Sequence, residues 1–275
     1  MSEQHELAGK TIVMSGGSRG IGLAIGIAAG RLGANVVMLA KTDQPHPRLK
    51  GTVHTAAEQI RAAGGQALGV VGDVRDEESV NHAIDEAVRA FGGVDVVVNN
   101  ASAISLTGTE ATTPKQFDLM QSIQQRGTFL LTRAAIPHLR RSSNPHVLSL
   151  SPPLNLSPRW LGAFPPYTVA KYGMTLLTLG FAAELEPDGI AANCLWPESV
   201  TATAATEMLM GDKQAEVSRK PEIMADAAIL ILGSSAAENS GRALIDVDVL
   251  AAHGITDLTP YGPAEGVALD LYLDR

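Results

Sequence analysis

The chain has a single cysteine in 275 residues, Cys194, so no disulfide can close within it, and the composition suits a reducing compartment. Positive charge is also in deficit: 21 Lys and Arg stand against 29 Asp and Glu, a formal charge of −8. A surface of that sign has no general affinity for nucleic acid or for an anionic membrane. No apolar run approaches the ~20 residues of a membrane-spanning helix, and the opening MSEQHELAGK lacks the apolar core of a secretory signal. These absences predict a soluble, cytoplasmic protein with no membrane span. The seven histidines are scattered, none beside a carboxylate or cysteine at metal-ligand spacing, so no metal is expected. Cys194 itself lies in AANCLWP, which reads as a buried strand where cysteine acts as a small apolar residue.

What the chain does have is alternation. Apolar residues make up 45% of it, enough for a full core, and short β-branched runs take turns with longer helical stretches. KTIVMS, GIGLAIGIAAGRLG, NVVMLAK, TAAEQIRAAGG, QALGVVGDV, EESVNHAIDEAVRAFGG and VDVVVNN read as βαβαβαβ. Strands that are almost continuously apolar are buried on both faces. The expectation is an α/β, doubly wound Rossmann fold: a parallel sheet of about seven strands with helices on both faces. The second half continues with a long helix near Lys115 to Leu139, the strand HVLSLS, a helix opened by PPYTVAKYG, the strand IAANCLW, a helix near Pro221 to Leu232 and a strand near Ala243 to Val247. No linker or repeat divides it, so residues 1–275 are expected to form one domain. Two long connections follow strand ends, residues 42–54 and 197–220, and such loops border the ligand crevice. The second reads either as a lid, with Ala202, Ala204, Ala205, Met208, Leu209 and Met210 as its apolar cover, or as a helix packed on the domain.

SGGSRGIG joins the first strand to the first helix. Gly16 permits the tight turn, Gly20 lets the backbone approach a pyrophosphate, and Gly22 allows close packing of helix on sheet. The spacing resembles the Thr-Gly-x-x-x-Gly-x-Gly motif of the short-chain dehydrogenase/reductase family, with Ser15 in the threonine position. VVNNAS, residues 97–102, is similar to that family's Asn-Asn-Ala-Gly, and Tyr167-x-x-x-Lys171 to its catalytic pair. The resemblance implies a nicotinamide-dependent oxidoreductase in which Gly16, Gly17, Ser18, Arg19, Gly20, Ile21, Gly22, Lys41, Asp73 and Lys171 touch the cofactor. It also implies a homodimer or homotetramer. AKTDQPHPRLKGTVHTAAEQI, NNASAISLTGT, SPPLNLSP and YTVAKYGM mark a narrower group within the family.

NAD-dependent enzymes place a carboxylate at the end of the second strand, where it would repel a 2′-phosphate. Here that strand ends MLAKT, and Lys41 with Arg19 offers two cations instead, so NADP is expected over NAD. Asp73 stands where the family's acid bonds the adenine amino group, or else it caps the helix beginning near Glu77. Asn99 opens the segment against which the ribose should lie.

Tyr167 and Lys171 fall one turn apart on one helix face, while Tyr172 points elsewhere. A tyrosine can give or take the proton of a carbonyl/alcohol pair if its pKa falls toward neutrality, and the ammonium of Lys171 favours tyrosinate. In the family the lysine also holds the nicotinamide ribose. Three departures from the family pattern stand nearby. Pro152 replaces the usual catalytic serine, leaving Ser151 either as its substitute or as a plain strand-end serine. Gln124 replaces an asparagine whose carbonyl serves the lysine through a distorted helix, and Glu198 follows Pro197 where glycine is usual. The expected function is an NADP(H)-dependent oxidoreductase acting on a small apolar alcohol, aldehyde or ketone of terpenoid, steroid or acyl-chain type, with Tyr167, Lys171 and Ser151 as its catalytic residues. The rival is an NADP-binding protein of impaired catalysis that serves as a sensor or assembly partner.

Overall fold

A computed structural model describes residues 7–45, 51–211, 214–263 and 265–274. Seven strands form one sheet in the order β3-β2-β1-β4-β5-β6-β7. They are β1 (Thr11–Ser15), β2 (Asn35–Ala40), β3 (Gln66–Val71), β4 (Val96–Asn99), β5 (His146–Ser149), β6 (Ala191–Trp196) and β7 (Ala243–Ile245). All pair in parallel; Ile12 of β1 faces Val36 on one side and Val96 on the other. The order reverses at β1, between β2 and β4, and the crevice of such a sheet opens there, beyond the strand C-termini.

The two-residue period of the strands sorts their side chains onto two cores. Ile12, Met14, Val36 and Met38 pack under α1 (Gly20–Arg31), α2 (Val53–Ala62), α10 (Glu222–Gly233) and α11 (Asp246–Ala252). Val13, Val37, Leu39 and Val97 pack under α3 (Glu77–Phe91), α5 (Gly127–Leu139) and α7 (Pro165–Glu184). Burial on both faces is why these strands read as continuous apolar runs. Asp76 caps α3 by accepting from the Ser79 amide, so the helix start near Glu77 does not draw on Asp73.

The long helix expected near Lys115 to Leu139 is divided: α4 (Pro114–Gln121) passes through a π-helical turn, Ser122–Arg126, into α5. The 197–220 connection carries α8 (Ala204–Met210) and α9 (Gln214–Val217), and α6 (Pro158–Ala163) precedes α7. Residues 46–50 of the first long connection, and 212–213 with the Leu209 side chain in the second, lie outside the described residues.

The C-terminal segment, for which the sequence predicts no element, runs back across the C-terminal edge of the sheet as a strap. The amides of Ala268 and Asp270 donate to the carbonyls of Val217 and Glu198, and the Trp196 indole donates to the Leu271 carbonyl at 3.0 Å. Tyr272 is the described non-glycine residue with positive φ, 72°. Such a backbone is unfavourable for a bulky side chain unless its surroundings hold it. Here the ring sits between Trp160, Tyr172 and Trp196, with centroids 5.7, 5.1 and 6.2 Å away. Replacing Tyr272 with Ala should therefore lower the unfolding free energy by about 3 kcal/mol, measured as a fall in the urea midpoint.

Candidate active site

Ser15 ends β1 and fastens the glycine turn to the segment that follows β4. Its Oγ accepts from the Asn100 and Ala101 amides, both at 3.2 Å, and its carbonyl accepts from Asn100 Nδ2 at 3.0 Å. Gly16 has φ 79°, and a Cβ there would stand 2.4 Å from Asn100 Nδ2. A Cβ at Gly22 would meet the same amide group at 2.6 Å. Helix α1 begins at Gly20 with no side-chain cap and no acid in its first turn, so its amide end suits a pyrophosphate. Ser18 is buried, and Ile21 packs on the sheet core. Thr203, the cap of α8, comes to 3.4 Å from where a Cβ of Gly20 would be, which brings the 197–220 segment over the turn.

Beyond β2, Arg19 Nη2 donates to the Gly51 carbonyl at 2.9 Å and to Thr42 Oγ1 at 3.3 Å, while its Nε is buried without a partner. Lys41 Nζ lies 2.7 Å from Asp73 Oδ2. Arg75 grips the same carboxylate through Nε and Nη2. Burial pushes the Asp73 carboxyl up, but the hydrogen bonds from Arg75 and Lys41 prevail and hold it well below the usual carboxylate range. Asp73 is thus a fixed anion with two cations, Lys41 and Arg75, beside it.

At the other end of the crevice, Tyr167 and Lys171 are both buried on α7. Lys171 Nζ donates to the Leu150 carbonyl at 2.9 Å and lies 5.2 Å from the Trp196 ring centroid. Burial lowers its pKa to about 8, against the pull of Asp270 and Cys194. Burial also lifts the Tyr167 phenol well above its ordinary value, with Tyr272 and Asp270 adding to the rise; the Ser102 hydroxyl close to the phenol opposes it. Asp270 comes from the C-terminal strap and is raised to about 6, chiefly by burial, although Lys171 pulls it down. Tyr172 is a packing residue, its hydroxyl donating to the Asn155 carbonyl at 2.7 Å.

Ser151 has no exposure, and its Oγ lies against the Cys194 thiol without a well-formed hydrogen bond. Burial pushes that thiol up, which leaves it inert at neutral pH. Asn99 faces into the domain, where its Nδ2 donates to Thr132 Oγ1 and Ser149 Oγ. Gln124 sits in the π-turn, fully buried, with Oε1 accepting from the Ala103 amide at 3.2 Å and Nε2 unpartnered. The helix distortion expected around position 124 is therefore present with glutamine there. Glu198 Oε2 lies 3.3 Å from Arg219 Nη1. Ser102 and Asp270 are the two site residues that sequence reasoning did not single out. The first had a signal, since NNAS puts serine where the family motif has glycine. The second had none, because it reaches the site only through the fold of the strap.

Among the described residues no helix is long and apolar enough to cross a membrane, and no cluster of three or more His, Cys, Asp or Glu is arranged to hold a metal ion.

The short chain dehydrogenase family model matches residues 10–214. Hydroxysteroid dehydrogenase-like protein 2 of Danio rerio is 51% identical over 271 residues, covering 98% of this chain and 65% of the relative. The chain thus spans 65% of that relative's length. A putative dehydrogenase from Xanthomonas campestris superposes with a TM-score of 0.94 at 50% identity, over 98% of this chain and 99% of that one. A short chain dehydrogenase from Mycobacterium thermoresistibile gives 0.93 at 50% identity, over 98% and 96%.

The charges around Lys171 set a direction for one substitution. The Asp270 carboxylate favours the ammonium, so Asp270→Asn should move the Lys171 midpoint below its value of about 8, as read from the lysine side-chain NMR titration.

Proposed function

The chain belongs to the short-chain dehydrogenase family, oxidoreductases that act with NAD(P), and we propose that it interconverts an apolar alcohol and its aldehyde or ketone with NADP(H). The observation that carries this reading is the pairing of buried Tyr167 with Lys171 on α7, beside the C-terminal strand ends that also bear the glycine turn. The glycine turn and the uncapped start of α1 would hold the pyrophosphate, Lys41 and Arg19 the 2′-phosphate, Asp73 the adenine, and Lys171 the nicotinamide ribose. When bound, the nicotinamide supplies or accepts the hydride.

The protein's own part is the proton. In reduction the Tyr167 hydroxyl gives its proton to the carbonyl oxygen, leaving tyrosinate; in oxidation tyrosinate removes the alcohol proton. Burial disfavours tyrosinate, so a positive neighbour has to offset that cost, and in this reading Lys171, one turn on along α7, takes that part. Support for the proposed substrate class comes from the apolar residues on the loops beyond β4, β5 and β6. Ile104, Leu154, Leu156 and Met208 are exposed there, and side chains of this kind favour a terpenoid, steroid or acyl-chain compound over a sugar. The alternative reading, an NADP-binding protein of impaired turnover, draws on Pro152 and on the raised Tyr167. We also place self-association, as a homodimer or homotetramer, on the outer faces of α5 and α7, where Phe129, Val169 and Leu176 are exposed.

Tyr167→Phe should cut turnover of an aldehyde and ketone panel by about 10²–10⁴-fold while NADPH still binds. A wild-type chain that binds NADPH and turns over no member of the panel would favour the alternative reading. Lys41→Ala should weaken NADPH by about tenfold and NADH far less, a difference read by fluorescence titration. Leu176→Glu should shift the light-scattering mass of the protein toward the monomer.

A further inference from the structure

The site lacks a hydroxyl at the place where β5 would supply one. After Ser149 the chain runs Leu150, Ser151, Pro152, and the proline has no hydroxyl to offer. Its carbonyl instead accepts from Thr175 Oγ1 at 2.7 Å, which fixes the segment to α7. Ser151 is closed off from the crevice against Cys194, and the Ser149 hydroxyl is buried, accepting from Thr178 Oγ1 at 2.7 Å. Pro152 has no hydroxyl, that of Ser149 is engaged, and that of Ser151, beside Cys194, is not among the groups that act on the Tyr167 phenol.

The segment after β4 supplies one that does. Ser102 is exposed, its hydroxyl stands close to the phenol of Tyr167, and Ala103 next to it packs against the cluster that holds Tyr167. The backbone on either side of it is pinned: the Ala101 amide donates to Ser15 Oγ and the Ala103 amide to Gln124 Oε1, each at 3.2 Å. These two anchors come from the glycine turn and from the π-turn between α4 and α5. A short side chain held between them has its Cβ placed by main-chain geometry, so that only χ1 is left to set the hydroxyl. Gln124 thereby gains a definite role, since its carbonyl oxygen holds the backbone next to Ser102.

We infer that Ser102 supplies the oxygen-holding hydroxyl of this site in place of the residue absent at Pro152. This rests on the proposed proton transfer by Tyr167. In reduction the Ser102 hydroxyl donates a hydrogen bond to the carbonyl oxygen as negative charge grows on it, and Tyr167 delivers the proton to the same oxygen. In oxidation Ser102 donates to tyrosinate, which it stabilises, and the phenolate takes the alcohol proton. Ser102 keeps its own proton throughout. It acts as a donor aimed at developing charge, not as an acid or base.

The test compares Ser102→Ala, Ser102→Thr and Ser151→Ala in the full chain. With octanal and NADPH, Ser102→Ala should lose about 10- to 100-fold in kcat, more than Ser151→Ala loses, and Ser102→Thr should recover much of it. A second readout needs no turnover: the tyrosinate absorbance of the NADP-loaded protein is titrated, with Tyr167→Phe identifying the Tyr167 step. That step should move up by about one pH unit in Ser102→Ala. A Tyr167 step at the wild-type pH in Ser102→Ala, or a larger kcat loss in Ser151→Ala, overturns the inference. A wild-type protein that binds NADPH but turns over no carbonyl overturns the proposed activity instead, and the titration alone then judges Ser102.

Discussion

An ammonium held in the interior is the constraint around which this end of the molecule is arranged. Burying a charge is costly unless partners replace its water. Lys171 Nζ has a carbonyl at the end of β5, the face of an indole from β6, and the nearby carboxyl of Asp270. Each of those partners belongs to a different element. The lysine therefore links α7, two adjacent strands and the C-terminal strap. Even so, burial brings its pKa down to about 8, so the lysine stays mostly charged at neutral pH but its half-titration lies close above it. A cationic lysine in this state is sensitive to any neighbour that gains or loses charge.

The strap shows how the fold supplies the carboxyl. Asp270 cannot approach α7 unless the residues after it are anchored, and they are. The indoles of Trp196 and Trp160 donate to the Leu271 carbonyl and to Asp274, and Asn155 Nδ2 donates to the Tyr272 carbonyl. The left-handed backbone at Tyr272 is the cost of turning the chain there, offset by burying the ring among three aromatics. Asn155 and Trp160 lie in and after the proline-rich stretch that departs from the family pattern at Pro152. The unusual segment after β5 thus both removes one hydroxyl and builds the seat of the strap.

The sheet was legible because its strands are buried on both faces, and a run such as Asn35–Ala40 admits few other readings. The glycine turn was legible because backbone geometry, not side-chain contact, dictates Gly16 and Gly22. The shared helix face of Tyr167 and Lys171 was legible from their four-residue spacing, while their reading as a catalytic pair came from the family resemblance. What escaped depends on long-range placement. Asn99 and Asn100 are neighbours in the sequence, yet one serves the interior beside Thr132 and the other braces the glycine turn. Strand alternation separates them, and only the exact end of β4 decides which is which. The strap has no hydrophobic period of its own, and Asp270 lies 99 residues beyond Lys171, so no local pattern connects the two.

The relocation of the hydroxyl follows from the same reasoning about what geometry a reaction requires. Stabilising charge on a carbonyl oxygen needs a donor at a point in space; the strand that brings it there is immaterial. In a parallel sheet the ends of β4 and β5 are adjacent, paired here through Asn99 and Ser149, so loops from either reach the same region above the sheet. A proline at the end of β5 can then serve structure, with its carbonyl tied to Thr175, provided the next strand's loop carries the donor. Serine in the last place of NNAS meets that condition, and the glutamine of the π-turn holds its backbone. On the role inferred for Ser102, the departures from the family pattern at Pro152 and Gln124, which separately weaken the case for catalysis, are compensated together by a further departure at Ser102.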